Sequence, residues 1–217
     1  FEDADLDVAV SQAIACKYRN GGQTCVCTNR VYVQSGVQEE FTRRFAEASQ
    51  ALRVGDPLAD DTDIGPLVDA QGLAKVRSHV EDALAKGARV VTGGSSLEGL
   101  YFQPTVVEGV TPDMLMMREE TFGPVAPVVS FAEEAEAVRL ANDSPYGLAA
   151  YVFTNDVSRA FRVTEALEYG IVGLNDGVPS TPQAPFGGVK QSGIGREGGH
   201  WGIEEYLEVK YLSLGLR

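Results

Sequence analysis

The sequence predicts an α/β protein with three layers, a mostly parallel sheet covered by helices on both faces. Three observations carry that expectation. Short β-rich runs alternate with segments whose apolar residues recur at helical spacing, the pattern of βαβ units. Glycine, proline and acidic clusters punctuate the changes between the two patterns. The chain has 217 residues, 44% of them hydrophobic, enough to bury one sizeable core. It shows no repeat period and no low-complexity stretch.

Taken in order, Asp5 is placed to cap a first helix with Leu6, Val8, Ala9, Ala13 and Ile14 as its apolar stripe, and Asn20-Gly21 ends it. Residues 30–34 (Arg30-Val31-Tyr32-Val33-Gln34) predict a strand, and Phe41, Phe45, Ala48 and Leu52 mark an amphipathic helix over residues 37–53. Gly55-Asp56-Pro57 breaks this pattern, and the acidic run from Asp60 to Asp63 reads as a solvated loop with no metal role. A helix over residues 69–86 stops at Gly87, followed by a strand at 89–92 that Gly93-Gly94 ends. Strands are expected at 105–107 and 126–131, with Pro127 suggesting an edge or an irregular start. A helix at 133–142, a strand at 148–153, a helix at 156–167 capped by Asp156 and a strand at 171–174 follow. After a glycine-rich stretch over 186–199, Tyr206 to Leu212 alternate as a strand that closes its own sheet or pairs with another subunit.

A formal net charge of -13 offers no field attractive to phosphate backbones, so nucleic acid and anionic membranes are poor partners. No apolar run reaches the roughly 18 residues of a membrane span, and the expectation is a soluble, cytoplasmic protein. Three cysteines, Cys16, Cys25 and Cys27, cannot form a disulfide framework, and their odd number fits a reducing compartment. No metal is expected, because one Cys-x-Cys pair would have to recruit a distant His79 or His200. The opening Phe1-Glu2-Asp3-Ala4-Asp5, without an initiator methionine, suggests a segment of a longer protein.

The stretch with the most chemical content is Asn20-Gly21-Gly22-Gln23-Thr24-Cys25-Val26-Cys27. Two glycines free the backbone to turn just before a thiol flanked by small polar residues, the setting of an approachable cysteine and not of a core one. Gly193-Ile194-Gly195-Arg196-Glu197-Gly198 satisfies G-x-G-x-x-G but follows no hydrophobic strand and opens no long helix, so no dinucleotide is placed there. No G-x-S-x-G elbow occurs. His79, within a predicted helix, and His200, among glycines, read as surface histidines and not as a base for Cys25.

Three separated strings carry a resemblance. Gly22-Gln23-Thr24-Cys25, Glu120-Thr121-Phe122-Gly123-Pro124, and Pro185-Phe186-Gly187-Gly188-Val189-Lys190-Gln191-Ser192-Gly193 with Gly195-Arg196-Glu197 resemble, in order and spacing, the signature strings of the aldehyde dehydrogenase superfamily. Within it, Lys17-Tyr18-Arg19-Asn20, Cys25-Val26-Cys27 and Gly195-Arg196-Glu197-Gly198-Gly199 are most similar to the succinate-semialdehyde dehydrogenases. The resemblance implies a catalytic portion at residues 1–193, a return segment at 194–217 with an oligomerisation strand, and a homodimer or homotetramer.

It also implies NAD or NADP as cofactor and Cys25 as the nucleophile that forms a thiohemiacetal and then a thioester. Glu120 matches the residue binding the nicotinamide ribose, and Phe122 the one packing on the nicotinamide. Arg19 and Ser180 match the positions that recognise the distal carboxylate of succinate semialdehyde, with glutarate semialdehyde as the alternative. Cys27 is a candidate redox partner of Cys25. The family's general base, in a Glu-Leu-Gly-Gly string, and its cofactor domain have no counterpart in these residues, so the 217-residue chain alone is expected to be inactive, a non-catalytic module.

Overall fold

A computed structural model describes residues 1–216. Asp5 accepts hydrogen bonds from the N–H groups of Asp7 and Val8 and starts α1 (Leu6–Lys17). Strand β1 (Val31–Gln34) and α2 (Gln38–Gln50) follow, then α3 (Ala70–Ala85), whose Asp69 cap accepts from the N–H of Gly72. β2 (Arg89–Thr92), β3 (Thr105–Glu108), the single-turn α4 (Leu115–Arg118) and β4 (Val125–Phe131) complete the first half. The second half comprises α5 (Glu134–Asn142), β5 (Tyr146–Gly147), β6 (Ala149–Val152), α6 (Val157–Ala166), β7 (Ile171–Leu174), β8 (Val189–Lys190) and α7 (Trp201–Glu204). Asp156 caps α6 through the N–H groups of Ser158 and Arg159.

The main sheet has the order β1-β4-β3-β2. β4 runs parallel to both β1 and β3, and only β2 is antiparallel. β6 and β7 form a second parallel pair, and β5 and β8 a short antiparallel one. Because side chains alternate along a strand, neighbouring residues feed opposite faces. Val106, Ala126 and Val128 join Val10 of α1 and Phe41 and Phe45 of α2. Val107 and Val125 join Val76, Val80 and Ala83 of α3 with Met114 and Met116. The result is the three-layer α/β arrangement, with one core on each face of the sheet.

Three expectations change. Pro127 does not mark an edge, because β4 is an inner strand. The proline pairs in regular register with Val107 of β3 and precedes the first β1 pair, Val31 with Val128, so it sits where β4 has no partner in β1. His79 is not a surface residue but a buried one on the inner face of α3. Residues 206–212 pair with no strand among the described residues, and Tyr206, Val209, Tyr211 and Leu212 lie exposed. The alternating pattern there does not close the chain's own sheet.

Candidate active site

The loop after α1 is shaped by backbone conformations that few residues adopt. Asn20 and Gly21 both take left-handed angles, φ 50° and 65°, and kink the chain within residues Arg19–Gly22, a conformation that asparagine and glycine tolerate at the least cost. Gln23 then staples the loop: its amide donates to the carbonyls of Asn20 and Pro66, and its oxygen accepts from the N–H of Val68 at 2.9 Å. The N–H of Cys27 donates to the Thr24 carbonyl at 3.0 Å, so Cys25 and Val26 form the tip of a tight turn. The Val26 carbonyl is held by the Tyr151 hydroxyl at 2.7 Å and by the Cys16 thiol. Burial raises the Tyr151 pKa and the neighbouring thiols raise it further, which keeps that hydroxyl a donor.

The turn separates the three free cysteines into different settings. Cys25 is exposed, whereas Cys27 is buried, its sulfur 2.9 Å from the Thr24 hydroxyl and 3.4 Å from the Arg19 carbonyl. Cys16 is buried against Thr28. One thiol is thus presented outward and the other two are engaged inside.

A second loop, residues 119–124, presses against the first. A Cβ on Gly22 would sit 2.2 Å from the carbonyl oxygen of Gly123, so the two backbones meet at a distance only glycine permits. Within this loop the residues alternate: Thr121 and Gly123 are buried while Glu120 and Phe122 are exposed. Thr121 is anchored twice, its N–H donating to Asn29 Oδ1 at 3.0 Å and its hydroxyl lying 3.1 Å from His79 Nδ1. Phe122 adopts a left-handed conformation, φ 50°, that turns its ring outward. Cys25, Glu120 and Tyr151 all line one cavity of about 530 Å³.

Arg19 lies just beyond Tyr18, the C-cap of α1, and is exposed, and among the described residues its guanidinium makes no hydrogen bond or ion pair. The Cys27–Arg19 contact curls the Cys25 loop back to it. Ser180 is exposed on the loop that follows β7. That loop is seated on α1 where the N–H of Gly177 donates to Gln12 Oε1 at 2.9 Å, and a Cβ on Gly177 would meet the Gln12 carbonyl at 2.5 Å. Arg19 and Ser180 therefore belong to segments anchored on one helix, but no hydrogen bond joins them among the described residues. Glycines 193, 195 and 198 lie in turns, with Phe186 and Glu197 bridged, and form no strand–helix phosphate cradle.

The aldehyde dehydrogenase family model matches residues 1–212. The chain belongs to the aldehyde dehydrogenase family. A mitochondrial succinate-semialdehyde dehydrogenase of Arabidopsis thaliana is 55% identical over 217 residues, covering 99% of this chain and 41% of that protein. A glutarate-semialdehyde dehydrogenase of Pseudomonas putida is 52% identical, covering 100% of this chain and 45% of the relative. The crystal structure of succinate-semialdehyde dehydrogenase from Burkholderia pseudomallei superposes with a TM-score of 0.96 at 55% identity, over 98% of this chain and 44% of that one. This aldehyde dehydrogenase chain thus spans less than half the length of the relatives it matches.

Two residues beside the site escaped sequence reasoning. Lys17 is only 1% exposed at the end of α1, and burial lowers its pKa to about 8 while Cys27, Cys16 and Glu120 oppose the fall. Its place in the polar string Lys17-Tyr18-Arg19-Asn20 gave no sign of burial. The other is His79, whose position three residues after Val76 on the apolar face of α3 was the one available signal.

Proposed function

We propose that this chain supplies the nucleophile, part of the cofactor grip and the substrate-carboxylate contacts of an NAD(P)+-dependent dehydrogenase that oxidises a short semialdehyde. The observation that carries the reading is the exposed Cys25 at the tip of a turn locked, through Gly22 and Gly123, against the loop presenting Glu120 and Phe122. An outward carboxylate and an outward aromatic ring on a pinned loop fit the ribose hydroxyls and the nicotinamide ring of NAD or NADP. When bound, that cofactor supplies the acceptor for the hydride leaving the substrate carbon.

Cys25, as thiolate, adds to the aldehyde carbon, forming the C–S bond as the carbonyl electron pair moves to oxygen, where the Cys25 N–H donates. Its sulfur carries the acyl group as a thioester until water releases the acid and restores the thiolate. No carboxylate or imidazole is hydrogen-bonded to the Cys25 thiol among the described residues, and because the chain spans less than half of its relatives, we place the base for that hydrolysis in the part they have beyond it.

Relatives named for succinate and for glutarate semialdehyde are 55% and 52% identical, so identity favours neither strongly. The free guanidinium of Arg19, with the Ser180 hydroxyl as a second donor, supports an aldehyde bearing a distal carboxylate, and we favour succinate semialdehyde. The exposed apolar residues from Ile203 to Leu216 suit pairing with a second copy, as a homodimer or homotetramer. Three free thiols suit the cytoplasm, and no described helix is long and apolar enough to cross a membrane.

The test is reduced-nicotinamide absorbance from the full-length protein, with succinate semialdehyde and an uncharged aldehyde of similar length. Arg19→Ala lowers kcat/KM for the semialdehyde by about 10- to 100-fold, the worth of a hydrogen bond to a charged group, and leaves the uncharged aldehyde nearly unaffected. Equal weakening of both substrates removes Arg19 from the carboxylate site.

A further inference from the structure

The loop that presents Glu120 does not hold itself in place. It crosses α3 at His79, whose side chain is 1% exposed. His79 Nδ1 lies 3.1 Å from the Thr121 hydroxyl and Nε2 lies 3.4 Å from the Glu119 carboxylate, so one ring grips the residues on either side of Glu120. Among the described residues, neither ring nitrogen, the Thr121 hydroxyl nor the Glu119 carboxylate has another side-chain partner. One turn before His79, Val76 fills the space beside Gly123, where an added Cβ would meet it at 2.4 Å. The same face of α3 thus sets the loop on both sides of the left-handed Phe122.

The ring can satisfy both partners in only one neutral form. With the proton on Nε2, the ring donates to Glu119 and its bare Nδ1 accepts from the Thr121 hydroxyl. Protonating Nδ1 removes that acceptor, so the buried Thr121 hydroxyl must turn its proton away and accept instead, which changes how the ring holds the loop. We propose that His79, as neutral imidazole, is a positioning residue that fixes the loop so that Glu120 meets the cofactor ribose, an inference that rests on the reading of Glu120 given above. The groups facing the ring are Glu119 and Thr121 from the loop and Lys75 and Asp82 from its own helix. Burial, opposed by Glu119, keeps the His79 pKa below 6.5, so the neutral form persists at neutral pH.

The proposal is tested by titrating full-length apoprotein with NADH and with NADPH, following nicotinamide fluorescence as a function of pH, for the unmodified protein, His79→Leu, His79→Gln and Glu120→Gln. In the unmodified protein the Kd rises as pH falls through the lowered His79 pKa, where the imidazole takes up its proton. His79→Leu weakens binding about tenfold at pH 7.5 and loses the acid limb, while alkylation of Cys25 by iodoacetamide in the apoprotein stays within about twofold. His79→Gln, which can still accept from Thr121, recovers most of the affinity and also lacks the acid limb. An unchanged Kd in a folded His79→Leu protein, equal losses in the Leu and Gln variants, or retention of the acid limb in both would overturn the assignment. Should His79→Leu not fold, the pH dependence of unmodified protein against His79→Gln decides. An unchanged Kd in Glu120→Gln sinks the reading of Glu120; a raised Kd there beside an unchanged His79→Leu sinks only the role of His79.

Discussion

Replacing Gly22 by alanine tests whether the nucleophile turn and the Glu120 loop form one unit. The new Cβ would sit 2.2 Å from the carbonyl oxygen and 2.6 Å from the carbonyl carbon of Gly123, and 3.2 Å from the Pro124 nitrogen. An ordinary contact is about 3.5 Å, so one loop must retreat by roughly 1 Å; backbone offers no rotamer by which to escape. Gly22 also has φ 76°, a conformation that costs an L residue about 1–2 kcal/mol. Overpacking adds about 1–3 kcal/mol, giving a total near 3 kcal/mol. Gly99→Ala is the control, because Gly99 has φ 67° but nothing within 4 Å of its added Cβ, so it carries the conformational term alone. Thermal melts of the full-length variants should place Gly22→Ala well below Gly99→Ala, and iodoacetamide should alkylate Cys25 at a changed rate only in the former. Equal melting points with equal alkylation rates would refute the coupling of the two loops.

Two further outcomes follow from the same neighbourhood. Lys17 has a pKa of about 8 in the folded protein against 10.5 when exposed, so the unfolded chain holds the extra proton between those values. The cost of burying the charge is fully present below pH 8 and fades as pH rises towards 10.5. Lys17→Met, similar in length and uncharged, therefore raises stability at pH 7 by up to about 3 kcal/mol and by almost nothing at pH 11, read from denaturant melts at the two pH values. A gain independent of pH would contradict this. Hydrogen peroxide should convert Cys25 to a sulfenic acid, from which the Cys27 thiol displaces water to give a disulfide. Dithiothreitol then restores activity in the unmodified full-length enzyme but not in Cys27→Ala, and equal recovery would remove Cys27 from any redox role.

The longer helices were legible because their apolar residues recur at helical spacing, and three of them mark their own start. Asp5, Asp69 and Asp156 all cap helices through their side chains. Elements of one turn or two residues, such as α4, β5 and β8, carry too few positions for a period to show. Cys25 was legible because glycine and small polar neighbours describe an open turn without reference to the rest of the chain. His79 was not, because its burial depends on Thr121, 42 positions away, a tertiary partner that local periodicity does not report. Lys17 escaped for the same reason. The inner position of β4 was hidden by Pro127, whose fit depends on where β1 begins. The exposed terminal residues show the limit from the other side: alternation marks strand tendency, but a partner strand must be present to realise it.

The account stands on Cys25 forming the covalent bond to substrate. Full-length protein can be mixed with succinate semialdehyde and NAD+ or NADP+, quenched in acid within the first turnover and digested for mass spectrometry. Fragmentation of the peptide bearing Cys25 and Cys27 should place the acyl mass increment on Cys25, and Cys25→Ala should show neither the increment nor turnover. Undiminished turnover in Cys25→Ala, or an increment confined to Cys16 or Cys27, would contradict the assignment.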